Sequence, residues 1–103
     1  ATSYAQVCPG VTQQNLIDCL QETYKNHPFV RVIEHTAAVG TNRVKGSNFC
    51  DVYAKLDERT GRATIIGVID NLVKGAAGQA IQNMNVQMNL PQTTGLQVVP
   101  YFI

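Results

Sequence analysis

Charge is scarce in this chain. Only 15% of its 103 residues are Asp, Glu, Lys or Arg, against about 25% in an ordinary soluble domain. Two causes fit: part of the surface faces protein rather than water, or the chain draws its polarity from Gln, Asn and Thr. Eight basic residues against seven acidic ones leave a net charge of +1, so the basic stripe that nucleic-acid binding needs is missing. Long apolar runs are lacking too. None approaches the roughly 18 residues of a membrane span, and no charged-then-apolar leader occurs in these residues, although one on a longer precursor would not be seen. The three cysteines, Cys8, Cys19 and Cys50, are odd in number and show no CxxC spacing. That pattern gives neither a disulfide framework nor a zinc site. Reduced thiols in a soluble, reducing compartment are expected, whether cytoplasm or an organelle stroma or matrix.

What is present suffices for one domain with a single modest core. Thr2–Val7 is β-prone and starts abruptly, as if continuing a strand from upstream, until Cys8-Pro9-Gly10 breaks it. Thr12 is a good N-cap, and Leu16, Ile17, Leu20 and Tyr24 follow at helical spacing. Pro28 forbids continuation of that helix past Asn26-His27. Phe29–Ile33 reads as a short strand and Glu34–Ser47 as a polar loop. Asn48–Leu56 alternates, with Cys50, Val52, Ala54 and Leu56 on one face and Phe49, Asp51, Tyr53 and Lys55 on the other. Asp57–Gly61 is a hairpin connection, and Arg62–Asp70 is its second arm. The run Ile65–Ile69 is apolar on both faces, which suits a strand inside a sheet. A second helix grows from the small-residue stretch Ala76–Ala80 and runs through Met84 and Met88, with Pro91 ending it. An apolar tail, Leu96–Ile103, follows. The expected fold is α+β in the order β-α-β-β-β-α, one mixed sheet covered by two helices.

Few residues are placed for catalysis. Thiol chemistry needs a thiolate beside an imidazole, but no spacing ties His27 or His35 to a cysteine. Cys19 and Cys50 read as small core residues, and Cys8 as partly exposed. Asp57 and Glu58 serve a turn. Asp51 reads by default as part of a solvated outer face, or else as partnered. Asp70 and Asn71 stand at the mouth of a strand-to-helix turn. From Asn71 to Ala80 the glycines and alanines leave almost no side chain where a helix begins, so an anion or a ring could approach the backbone, with Lys74 adding charge. The same small residues would equally allow close helix packing, and the spacing is neither GxGxxG nor a P-loop.

Between Lys45 and Gln82 the residues become specific. Gly46-Ser47-Asn48-Phe49-Cys50 and Ile69-Asp70-Asn71-Leu72-Val73-Lys74-Gly75-Ala76-Ala77-Gly78-Gln79-Ala80 stand beside Pro9-Gly10-Val11, Pro28-Phe29-Val30, Leu90-Pro91 and Thr93-Thr94-Gly95-Leu96. Together these closely resemble the C-terminal region of the N-acetyl-gamma-glutamyl-phosphate reductase family, within the aspartate-semialdehyde-dehydrogenase-like group. The resemblance covers essentially the whole chain. It implies an oxidoreductase of arginine biosynthesis in which NADPH reduces an acyl phosphate to a semialdehyde. A cysteine in an Asn-Pro-Gly-Cys-Tyr-like string would form a thioester, and a histidine in a Gly-His-Arg-His-like string would assist. Neither string occurs here, so no catalytic residue carries over; no metal ligand is expected either. The N-terminal nucleotide-binding domain is also absent, making residues 1–103 part of the C-terminal domain of a two-domain dehydrogenase. The resemblance implies that Asn71, Gly75, Ala76 and Gly78 face the NADP cleft of the complete enzyme, and that the sheet makes a homo-oligomer interface. The expected partners are the rest of the reductase chain and a second copy, with no nucleic acid or membrane. Two functional readings follow: a portion of the reductase that is inactive alone, or a stand-alone assembly module of reductase ancestry.

Overall fold

The computed structural model describes residues 1–101, and its elements follow the chain in the expected order. These are β1 (Thr2–Gln6), α1 (Gln13–Tyr24), β2 (Val30–Val32), β3 (Cys50–Asp57), β4 (Arg62–Ile69) and α2 (Gly78–Gln87). Two 3-10 turns, Thr36–Ala38 and Thr41–Arg43, structure the loop after β2, and a π-helical turn, Val73–Ala77, leads into α2. The four strands form one mixed sheet in the order β1-β4-β3-β2. β3 and β4 are an antiparallel hairpin paired from Asp57↔Arg62 to Cys50↔Ile69. β1 adds antiparallel to β4, and β2 adds parallel to β3. The tail residues Phe102 and Ile103 lie outside the described residues.

Local chemistry explains each junction. Thr12 caps α1: its hydroxyl accepts from the Asn15 amide N–H at 3.1 Å, and the Asn15 side chain accepts from Thr12 N–H at 2.9 Å. The hairpin closes through Gly61, whose φ of +69° suits glycine and whose N–H donates to the Asp57 carbonyl at 2.8 Å. β2 reaches only as far as Val52, so β3 has an open edge beyond it. Gln13 covers that edge: its Nε2 donates to the Ala54 carbonyl at 2.8 Å, and its Oε1 accepts from Leu56 N–H at 2.6 Å. One side chain thus imitates a strand at the start of α1.

The core is small, built from Ile17, Phe29, Val44, Tyr53, Ala54, Leu56, Ala63 and Leu96. Its limits show in the dimensions, 46 × 33 × 17 Å. The short axis leaves room for a sheet and one further layer, at roughly 10 Å between layers. β4 is an interior strand, as its apolar run requires. β1, at the edge, is exposed along its whole length.

Three readings of single residues need correction. Cys19 is exposed, because α1 buries Ile17 and turns Cys19 away from it. Cys50 is only half-buried. Asp51 is not on a solvated face: it is 1% exposed, since the parallel pairing places it beside Arg31.

Candidate functional site

The site is built where β4 ends. Asp70 turns its carboxylate back on both flanking backbones: Oδ2 accepts from Gly46 N–H at 2.7 Å and Oδ1 from Leu72 N–H at 2.9 Å. Its own carbonyl accepts from Val73 and Gly75 N–H groups, both at 3.2 Å. The Gly46 amide foremost, and the Leu72 amide next, hold the Asp70 carboxyl below the usual aspartate range. Asp70 thus serves three of the amides at this helix start, Leu72 through its carboxylate and Val73 and Gly75 through its main-chain carbonyl.

Asn71, Gly75 and Ala76 are exposed. The Asn71 side chain lies over Gly75, where a Cβ would come within 2.5 Å of its Oδ1. Asn71 also lines an open cleft of about 500 Å³ together with Thr41, Asn42, Lys45, Leu72 and Tyr101. Gly78 is elsewhere. It is buried inside a continuous helical segment, facing Asn48. Of the four residues singled out by sequence, the fold brings Asn71, Gly75 and Ala76 to the surface and turns Gly78 inward.

Lys74 is not a free cation reaching for an anion. Its Nζ donates to Gln82 Oε1 at 2.7 Å and lies 5.5 Å from the Phe29 ring centroid. Burial pushes its pKa down, and the neighbouring Cys50 opposes that only in part. Burial likewise pushes the Cys50 thiol up, against the pull of Lys74, so the uncharged thiol is favoured. Among the described residues no three His, Cys, Asp or Glu side chains gather as metal ligands. No helix among them is long and apolar enough to cross a membrane.

Two features escaped the sequence reading. The first is a chain of amides: Asn48 Nδ2 donates to Gln82 Oε1 at 3.0 Å, Gln82 Nε2 to Gln92 Oε1 at 2.9 Å, and Asn85 Nδ2 to the Thr94 carbonyl at 2.9 Å. It ties α2 to the loop before β3 and to the segment after α2. No local motif announces it. The second is Arg31, which grips Asp51 with two bonds, Nε to Oδ1 at 2.6 Å and Nη2 to Oδ2 at 3.0 Å. Nη2 also donates to the Arg43 carbonyl at 2.9 Å, and the guanidinium lies 4.2 Å from the Phe49 ring centroid. This fork ties β2, β3 and the intervening loop together.

Comparison with known proteins finds relatives along the chain. The family described as "Semialdehyde dehydrogenase, dimerisation domain" matches residues 1–71. The chain is 48% identical over 102 residues to "N-acetyl-gamma-glutamyl-phosphate reductase" of Citrifermentans bemidjiense, covering 99% of this chain and 30% of that protein. It is 46% identical over 101 residues to the protein of the same name in Brevibacillus brevis, covering 98% of this chain and 29% of that protein. It is also 46% identical over 102 residues to "Probable N-acetyl-gamma-glutamyl-phosphate reductase, chloroplastic" of Oryza sativa subsp. japonica, covering 99% of this chain and 25% of that protein. The chain thus spans less than a third of the length of each of these relatives. The dimerisation-domain match stops at Asn71, whereas the reductase relatives align through the π turn and α2 as well.

Proposed function

Because this chain belongs to the semialdehyde dehydrogenase dimerisation-domain family, we propose that it works as the C-terminal portion of an N-acetyl-gamma-glutamyl-phosphate reductase. In this role it supplies a subunit-interface sheet and one wall of the NADP cleft, but none of the residues that make or break bonds. The observation that carries the reading is near-half identity to named reductases along almost the whole chain, including the segment that sets Asn71 on an open cleft and leaves Gly75 exposed beside it.

The residues fit one end of the cofactor. Asn71 offers an amide donor and acceptor, which suit the carboxamide of a nicotinamide. Gly75 beneath it keeps the backbone low. The Asp70 carboxylate already occupies the helix start, and its charge disfavours the cofactor's phosphates there. The chain's task is to orient the ring, while the phosphates are held by residues elsewhere in the enzyme. NADPH supplies the hydride that converts the acyl phosphate to an aldehyde with release of phosphate.

The remainder of the reductase is the partner this surface calls for. Ile81, Met84 and Met88 lie along one flank of α2, each at least 40% exposed, and Leu72 and Ile69 extend the apolar surface toward the cleft. The exposed β1 edge and the uncovered parts of the sheet suit a second copy. A reducing compartment suits the three free cysteines.

Phosphate-dependent reduction of NADP by the semialdehyde is the test. The full-length protein is expected to turn over and the 103-residue chain to show none. Turnover by the chain alone, abolished by Cys8→Ser, would overturn the division of labour.

A further inference from the structure

In the π turn Val73–Ala77, Gly78 N–H reaches five residues back to the Val73 carbonyl, and α2 continues from there with ordinary spacing. Such a turn holds one residue more than an α turn and is frequent at functional sites. Here it depends on glycine. A Cβ on Gly78 would lie 2.6 Å from the Val73 oxygen and 2.9 Å from its carbon, and would overlap Asn48 Oδ1.

Asn48 holds the other side of this contact. It is 1% exposed, and its Nδ2 donates to Gln82 Oε1, the same oxygen that accepts from Lys74 Nζ. Its Oδ1 is buried with no hydrogen-bond partner and faces the bare Cα of Gly78. An unpaired buried amide oxygen is unfavourable, so hydrogen bonding alone does not account for this placement. The side chain therefore spans the turn, touching Gly78 at its end and reaching Lys74 within it through Gln82.

We propose that Asn48 is a positioning residue that holds the π turn open and so fixes where Asn71 and Gly75 meet the cofactor. This rests on the reading that Asn71 and Gly75 face the nicotinamide. Closing the turn to α geometry shifts the chain ahead of Gly78 by one residue, about 100° around the helix axis. Asn71 then leaves the cleft.

The test uses the full-length reductase that contains this chain, with two readouts on each variant: NADP affinity, and amide hydrogen exchange at residues 73–78 compared with 79–87. Asn48→Ala is expected to speed exchange at 73–78 by about tenfold or more while sparing 79–87. It should weaken NADP binding by about tenfold, with kcat at saturating cofactor largely retained. Gln82→Ala, which leaves Asn48 in place but removes its bond, should move both readouts in the same direction and serves if Asn48→Ala does not fold. Asn71→Ala tests the underlying reading. If it weakens binding while Asn48→Ala and Gln82→Ala do not, the positioning role is overturned and the cleft stands. Uniformly faster exchange with unchanged affinity overturns it too, leaving Asn48 a packing residue. If Asn71→Ala leaves affinity unchanged, the cleft reading fails and the positioning role falls with it.

Discussion

Arg31→Met should cost this domain a large part of its stability. The change keeps the aliphatic stem but removes both bonds to Asp51, whose carboxylate is 1% exposed and has no other hydrogen-bond donor among the described residues. Breaking a buried ion pair by deleting one partner costs about 3–5 kcal/mol, because the surviving charge stays buried. The Arg31 side chain is 36% exposed, so water can reach part of the vacated space, and about 3 kcal/mol is the expected figure. For a domain of this size that corresponds to a fall in melting temperature of roughly 12–24 °C. Asp51→Asn should be milder, about 1–2 kcal/mol, since Asn still accepts from the guanidinium. The double change Arg31→Met with Asp51→Leu should recover most of the loss, because it removes the orphaned charge as well. Urea denaturation of all four proteins measures this. A loss below about 0.5 kcal/mol for Arg31→Met, or no recovery in the double variant, would refute the argument that a buried pair holds β2 to β3.

The Asp70 carboxyl is held below its ordinary value of 3.8 by Gly46 and Leu72 amides. The stability it adds over Asp70→Asn should therefore be constant at neutral pH and shrink only as pH falls below 3.8; a difference that vanishes by pH 6 contradicts the bonding described. Gln13→Ala leaves the Ala54 carbonyl and Leu56 N–H without their protein partner, and should cost about 1–3 kcal/mol in urea denaturation with the helical signal of α1 retained. The isolated chain should sediment as more than monomer at micromolar concentration, since β1 is exposed throughout; a clean monomer counts against the sheet as an interface.

Features written in neighbouring residues were legible in the sequence, and features written across the fold were not. Thr12 and the apolar spacing of Leu16, Ile17 and Leu20 define α1 because capping and amphipathicity act within a few residues. Asp57–Gly61 defines the hairpin for the same reason. The parallel pairing of β2 with β3 has no local signature. Without its register Asp51 reads as a surface carboxylate, although Arg31 stands opposite it. Cys19 illustrates a finer limit, as one residue separates it from the buried line of a narrow helix face. At the candidate site, the small residues at Gly75–Gly78 read as a place where a ligand or a packed helix could approach the backbone. What approaches Gly78 is Asn48, thirty positions earlier in the chain (78 − 48), and no spacing rule predicts that. The π turn beside this contact is equally invisible in composition.

The slab-like form has a mechanical consequence. A plate's resistance to bending rises with the cube of its thickness, so a body 17 Å thick and 46 Å long is compliant across its plane while remaining stiff along its strands. A second sheet bonded over the open face would thicken the plate and suppress that compliance. The Asn71–Gly75 segment hangs from the end of β4, an interior strand, and its orientation follows any bend of that strand. Assembly of the sheet would thus do more than cover apolar surface. It would stiffen the lever on which the Asn71–Gly75 segment is mounted.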